Sequence, residues 1–164
     1  MIGAEIRKKA GKKNRSGDWF ISELETALGP LQDNNISSID TGGIEIGNMF
    51  FFSYGAKYPE KYLFWDIQPL AVALSFYKDG FLGCNLHYIN PQYRDQVAKS
   101  LLNSGGGTTV PKNSLHKYLY EGIGNLYKVP NTEDWEEISL LPTEKFYDPR
   151  GMKYPKHKAW NWKK

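Results

Sequence analysis

Apolar residues recur near helical spacing at Trp19, Phe20, Leu24 and Leu28, behind a Ser16-Gly-Asp opening and ahead of Gly29-Pro30. That pattern predicts a short helix over Trp19–Leu28, because the glycine and proline cannot continue it. The fifteen residues before it hold Gly, Ala, Lys and Asn with no apolar period, and are expected to stay disordered when unbound. Residues 31–48 (LQDNNISSIDTGGIEIGN) are rich in Asn, Ser, Asp and Gly and read as a long loop, with a short strand at Ile44–Ile46.

From Met49 the pattern turns to aromatic strands. MFFFSY forms one, GAKYPEKYLFWDIQ connects, and Pro69 opens the strand PLAVALSF. Lys78-Asp79-Gly80 supplies a tight hairpin turn, Asp-Gly favouring positive φ, and GFLGCNLHY returns. Alternation places Leu82, Cys84, Leu86 and Tyr88 on one face and Phe81, Gly83, Asn85 and His87 on the other. Gly83 marks a bulge or a close backbone approach. Pro91 suits the first turn of a helix, PQYRDQVAKSLL, in which Tyr93, Val97 and Leu101 fall at i, i+4 and i+8. SGGGTT reads as a flexible break, LHKYLYEGI (115–123) as a weaker helix, and Asn125–Val129 and Trp135–Leu141 as closing strands.

The order of elements predicts an α+β fold, a small antiparallel β-barrel of SH3-like form with helical insertions and two basic extended arms. Its organisation reads as a basic disordered arm (1–15), a helix and long loop (16–48), a β-rich core domain (49–148) and a basic aromatic C-terminal arm (149–164). A chain of 164 residues suffices for one such domain with extensions. No apolar run approaches a membrane span, and MIGAEIRKK has no apolar segment behind its charges, so neither a membrane partner nor a secretory signal is expected. One cysteine, Cys84, and three scattered histidines leave no disulfide framework and no zinc-like cluster, so no cofactor is expected.

The net charge of +3 conceals a strong asymmetry. Residues 1–15 carry six Lys/Arg and one acid, residues 150–164 carry six Lys/Arg and no acid, and the region between has an excess of eight acids. An acidic body with two basic arms is a statement about partners rather than fold. The candidate binding residues are Arg7, Lys8, Lys9, Lys12, Lys13 and Arg15 in the first arm. In the second they are Arg150, Lys153, Tyr154, Lys156, Lys158, Trp160 and Trp162. Cations neutralise phosphates through counterion release. Interleaved Tyr and Trp can stack exposed bases, or anchor the arm in pockets on a protein. The plainer reading of the N-terminal arm is a solvated tail; exposed tryptophans make that reading weaker for the C-terminal one.

Elsewhere the chemistry is sparse. Cys84 and His87 point to opposite strand faces and cannot form a nucleophile pair, which leaves a buried thiol and a rim histidine. Asp66, set among aromatics in YLFWDIQP, suits a turn cap better than a catalytic carboxylate. Glu144 most simply ends a strand. SGGGTT lacks the Lys-Ser/Thr and the strand–loop–helix setting of a phosphate loop. No enzyme signature emerges, and no catalytic or metal-ligating residue is assigned.

One stretch carries a resemblance. It comprises Phe52, Tyr54 and Lys57, then Trp65, Asp66, Pro69 and Leu70, then Gly80, Phe81, Gly83, Asn85, His87 and Tyr88. Trp135 and Glu136, and Leu141, Pro142, Thr143, Glu144 and Phe146, follow. Over about residues 50–146 this pattern resembles a tailed-bacteriophage protein family whose relatives carry a DNA-end-protector label. Relatives tend to have Leu-Pro-Tyr-Tyr-Asp where this chain has Tyr62-Leu63-Phe64-Trp65-Asp66. The resemblance implies a phage origin and supplies no catalytic residues. With the arms, it suggests a non-enzymatic virion-assembly protein that binds DNA, protecting or retaining genome ends during packaging. Binding would be sequence-independent and salt-sensitive, in the host cytoplasm during assembly and in the virion. The alternative is a structural virion component (neck, tail or baseplate adaptor) whose arms dock onto neighbouring subunits. A homo-oligomer is compatible with either.

Overall fold

Alternation along MFFFSY decides the architecture. In β1 (Met49–Tyr54), Met49 and Phe51 enter one apolar core while Phe50 and Phe52 enter another, and all four are fully buried. A strand buried on both faces must lie inside a covered sheet, and each ring so buried stabilises by about 1.5–3 kcal/mol. The computed structural model describes residues 1–29, 44–104 and 110–163. Most of the long loop at 31–48 and of SGGGTT lies outside the described residues.

The sheet is antiparallel and five-stranded, in the order β5-β4-β3-β1-β6. Besides β1 it contains β3 (Leu70–Tyr77), β4 (Gly80–Asn85), β5 (Leu115–Leu119) and β6 (Ile123–Lys128). A two-stranded ladder pairs β2 (Trp65–Asp66) with β7 (Phe146–Tyr147). One face of the large sheet is covered by α1 (Ile2–Ala10), α2 (Gly17–Leu28), α3 (Pro91–Ser104) and α4 (Trp135–Leu140). The other face is closed by Ile44, Tyr118, Tyr120 and Leu126 around Phe50, Phe52 and Phe81. A short helix, α5 (Lys156–Trp160), ends the chain.

This is the expected α+β class, but no closed barrel is present among the described residues. The sheet stays open, with β5 and β6 at its edges. Helices bury one face and aromatics the other, so closure is not needed to cover the core.

Several elements differ from the sequence expectation, each for a local reason. The first arm is not disordered: Ile2, Ile6 and Ala10 repeat at i, i+4 and i+8, and Ile6 and Ala10 are buried. Between them Gly3 lets α1 touch α4, since a Cβ there would lie 2.6 Å from Glu137 Cβ. Leu115–Leu119 is a strand because it pairs residue for residue with β4, Gly80 to Leu119 through Cys84 to Leu115. Trp135–Leu140 is a helix, burying Trp135 and Ile138 with Leu141 behind them, and Glu136 and Glu137 sit favourably in its first turn. No strand forms at Ile44–Ile46. The buried stripe of α3 is Arg94, Ala98 and Leu101, while Tyr93 is exposed.

The hairpin forms as expected, Tyr77 pairing with Gly80 across Lys78-Asp79. Neither Asp79 nor Gly80 has positive φ. Gly80 is required instead by packing, because a Cβ would collide with the Tyr118 carbonyl. Gly83 makes the close approach anticipated for it, with Ala71 and the Phe81 and Tyr118 rings around its missing Cβ. Cys84 is buried against Ser114 (Sγ–Oγ 3.4 Å), and burial pushes its thiol up to about 11.

Candidate nucleic-acid interface

The C-terminal segment is folded back on the domain rather than extended. Asp148 Oδ1 accepts from the Arg150 and Met152 amides and turns the chain, with Gly151 at φ +80°. Lys153 then bridges to Tyr147, and the Tyr154 amide donates to the Phe146 carbonyl (2.9 Å). The Tyr154 ring lies on Phe64 and Trp162 meets the same ring edge-on, at 4.1 and 5.5 Å between centroids. Trp160 Nε1 donates to the His87 carbonyl (3.0 Å), and the Arg94 guanidinium lies 5.8 Å from its ring. Asn113 Nδ2 donates to the carbonyl of Tyr88 (2.9 Å) and reaches those of Ala159 and Trp160. The aromatic residues expected to stack bases are therefore anchors in the protein's own fold. Large rings with one polar atom gain most from burial when that atom finds a partner, and Trp160 finds one.

The cations divide into three groups. Arg7 pairs with Glu137 (3.5 Å) and Lys9 with Glu23 (2.9 Å), both fastening α1 to its neighbours. Lys8, Lys12 and Lys13 are exposed and hold no ion pair among the described residues. Arg15 lies over the Trp19 ring (4.8 Å). At the other terminus Arg150 pairs with Asp148 (3.2 Å), and Lys153 and Lys158 are exposed.

One cleft runs along the C-terminal basic segment. About 450 Å³ in volume, it lies between the start of α2 (Ser16, Gly17, Asp18) and the returning chain (Lys153, Tyr154, Lys156). Ser16 caps α2, its Oγ accepting from the Trp19 amide (3.2 Å), and the remaining first-turn amides give this end a positive character. Lys145 reaches Asp18 (3.0 Å) across the cleft. The sequence reading missed Lys145 and the start of α2 as cleft residues; the capping Ser16 was the signal available.

Glu144 forms the buried wall. Its Oε2 accepts from Arg94 Nη2 (2.7 Å), and Arg94 also donates to the carbonyls of Ile89 (2.8 Å) and Ser139 (2.6 Å). Oε1 accepts no hydrogen bond, with Lys156 Nζ 3.6 Å away. Burial raises the carboxyl, but neighbouring His87, Arg94 and Lys156 together outweigh it and hold the group below the ordinary carboxylate value. Glu144 does not simply end a strand: it closes a buried ion pair with Arg94, and neither partner stood out in the sequence.

Behind this wall lies a closed polar network. His87 Nδ1 meets Asp66 Oδ2 (2.7 Å) and Nε2 meets Thr143 Oγ1 (2.8 Å). Asp66 also accepts from the Gln68 amide (2.9 Å), the turn-capping role expected of it, and from Asn85 Nδ2 (2.9 Å). Acid, imidazole and hydroxyl stand in relay order, but all three are at most 2% exposed, so no substrate reaches them. His87 is thus a core residue rather than a rim one. The strand ends at Asn85, whose Oδ1 accepts from the His87 amide and starts a short turn that carries His87 inward.

The fold and cleft together define an α+β domain with a partly cationic recess between the start of α2 and the C-terminal basic segment. The chain belongs to the phage T4 terminal DNA protecting protein family, whose family model matches residues 4–119. The match takes in α1 and α2 as well as the sheet through β5, so it begins well before the aromatic stretch that carries the resemblance. No curated protein and no solved structure matches the chain.

Proposed function

We propose that this protein binds the ends of phage DNA and shields them during virion assembly. Membership of the terminal DNA protecting family is the observation that carries the reading. The cleft at the start of α2 supports it, because it offers Lys145, two lysines of the C-terminal segment and helix N-terminal amides to a single short length of backbone. Lys8, Lys12 and Lys13 extend the cationic surface along α1 and its following turn, free to meet phosphates further from the end. Their contacts carry no sequence information, so affinity is sequence-independent and salt-sensitive.

The test compares two duplexes of one sequence by fluorescence anisotropy, one blunt-ended and one closed by hairpin loops at both ends. The open duplex should bind more tightly and be protected from an exonuclease at matched protein concentration. Equal affinity for both duplexes would mean general backbone binding and would overturn the end-specific reading. No binding even at low salt would favour a structural virion component whose basic segments dock onto acidic neighbours.

A further inference from the structure

A second recess, of about 160 Å³, shares a wall with the cleft. Phe64 and Trp162 line it, and the Phe64 ring is stacked on Tyr154, which lines the cleft. The rest of its surface is largely aromatic, with Tyr54, Tyr62, Trp65 and His116 contributing. Local chemistry puts Tyr62 at its rim. Pro59 opens a single 3-10 turn (Pro59–Lys61), and the Tyr62 amide ends it by donating to the Pro59 carbonyl (3.1 Å). The chain then leaves the Tyr62 side chain 50% and Leu63 59% exposed. Phe64, Tyr88 and Tyr118, which also line the recess, are buried and serve the core. Tyr62 and Leu63 do not, and apolar groups gathered at the mouth of a recess mark a binding site.

Walls made of rings favour a flat ligand. The volume falls below the about 300–1,000 Å³ of pockets that enclose a drug-sized molecule, so one ring system enters and the rest stays outside. Charge decides what that remainder is. Lys61 and Lys117 stand among the lining residues. Lys61 lies over the Tyr58 ring (4.8 Å) and holds no ion pair among the described residues. Lys117 pairs with Asp79 (2.9 Å), but that pair is exposed, weak and readily exchanged for another anion. Asp66 is the one carboxylate of the lining, and it is 2% exposed and engaged by Gln68, Asn85 and His87. A cationic ligand is therefore opposed, and an uncharged ring tied to an anion is suited. A nucleobase on its phosphodiester backbone is such a ligand. Inside a duplex both faces of a base are stacked and its edge is paired, so only an unpaired base can enter. We infer that this recess takes an unpaired base from a DNA end and stacks it against Tyr62 and the neighbouring rings. One short strand can reach both recesses, leaving its phosphates to the lysines of the cleft.

This inference rests on the end-binding reading, and the experiment separates the two. Anisotropy titrations use the full chain with one duplex in three forms: closed by hairpin loops, ending in a short thymidine overhang, or ending in an abasic overhang of the same length. The open forms are made with the overhang on the 3′ strand and on the 5′ strand. An abasic overhang keeps every phosphate and lacks only the rings. On at least one strand the thymidine overhang should bind about tenfold more tightly than the abasic one, the scale of one stacked base. Open forms that bind alike on both strands, yet above the closed duplex, would overturn the base pocket and leave end binding standing. Open forms that bind no better than the closed duplex would overturn both. Tyr62→Ala changes a half-exposed side chain outside the core. It should lose most of the preference for thymidine over abasic while the slope of log K against log salt stays as in wild type, because no phosphate contact is lost. An unchanged preference in that variant would overturn the assignment to this recess and leave its exposed rings to a protein neighbour.

Discussion

The Tyr154 ring lies on the Phe64 ring with centroids 4.1 Å apart and planes 2° from parallel. This contact fastens the C-terminal segment to the residues just before β2, and so sets one wall of the cleft. Phe64 also touches Tyr88, Phe146 and Trp162, making it the centre of a third small apolar cluster.

Removing the centre should cost far more than trimming the stack. Phe64→Ala should destabilise by about 3–5 kcal/mol. Tyr154→Leu keeps apolar area but loses the ring contact, and should cost about 0.5–1.5 kcal/mol. Thermal melts measure both. Limited trypsin digestion should find Lys153, Lys156 and Lys158 cut sooner in Phe64→Ala; unchanged protection there would mean that the segment is held by something other than this cluster.

The N-terminal helix and the turn after it separate folding from binding. Ile6→Ala should cost about 2–5 kcal/mol, because Ile6 is buried between α2 and α4. Changing Lys8, Lys12 and Lys13 to Gln together should shift stability by only about 0.5 kcal/mol or less per site. The same variant should flatten the slope of log K against log salt on duplex DNA by up to about 0.9 per lost phosphate contact. A melt and a salt series on the two variants should give opposite patterns. An Ile6→Ala protein as stable as wild type would restore the picture of a loose arm.

Much of this was legible in the residues. The Ser16-capped helix, the 70–85 hairpin, the proline-led α3 and the close approach at Gly83 all follow from local chemistry that tertiary contacts leave undisturbed. The misread elements are those whose period is short or shared. Ile2, Ile6 and Ala10 are three apolar positions among many lysines, and composition hides them. Trp135, Ile138 and Leu141 span too few residues to distinguish helix from strand. LHKYL becomes a strand because β4 offers it an edge, a fact about another part of the chain. The cleft was legible only as charge. Lys153 and Lys156 stood out and Lys145 did not, and nothing in one sequence tells that Arg94 is 1% exposed, or that Glu144 faces it from fifty residues away.

That buried pair also predicts how acid should act. Burial opposes the Glu144 charge, while His87, Arg94 and Lys156 favour it more strongly, leaving the carboxyl below its ordinary value of 4.5 in the folded protein. The unfolded chain therefore binds a proton at a pH where the folded one does not. Glu144 contributes stability that is complete above its unfolded value and is lost as pH falls through the folded one. Glu144→Gln removes the charge and leaves Arg94 buried without its counter-ion, which should cost about 3–5 kcal/mol at neutral pH. Below about pH 4.5 the unfolded chain takes up the proton, and below its lowered folded value the native carboxyl does so too, so the melting temperatures of the two proteins should converge as pH falls from 6 towards 3. Melting curves that stay parallel over that range would mean that Glu144 is not the charged partner of Arg94, and the electrostatics proposed for the cleft would fall with it.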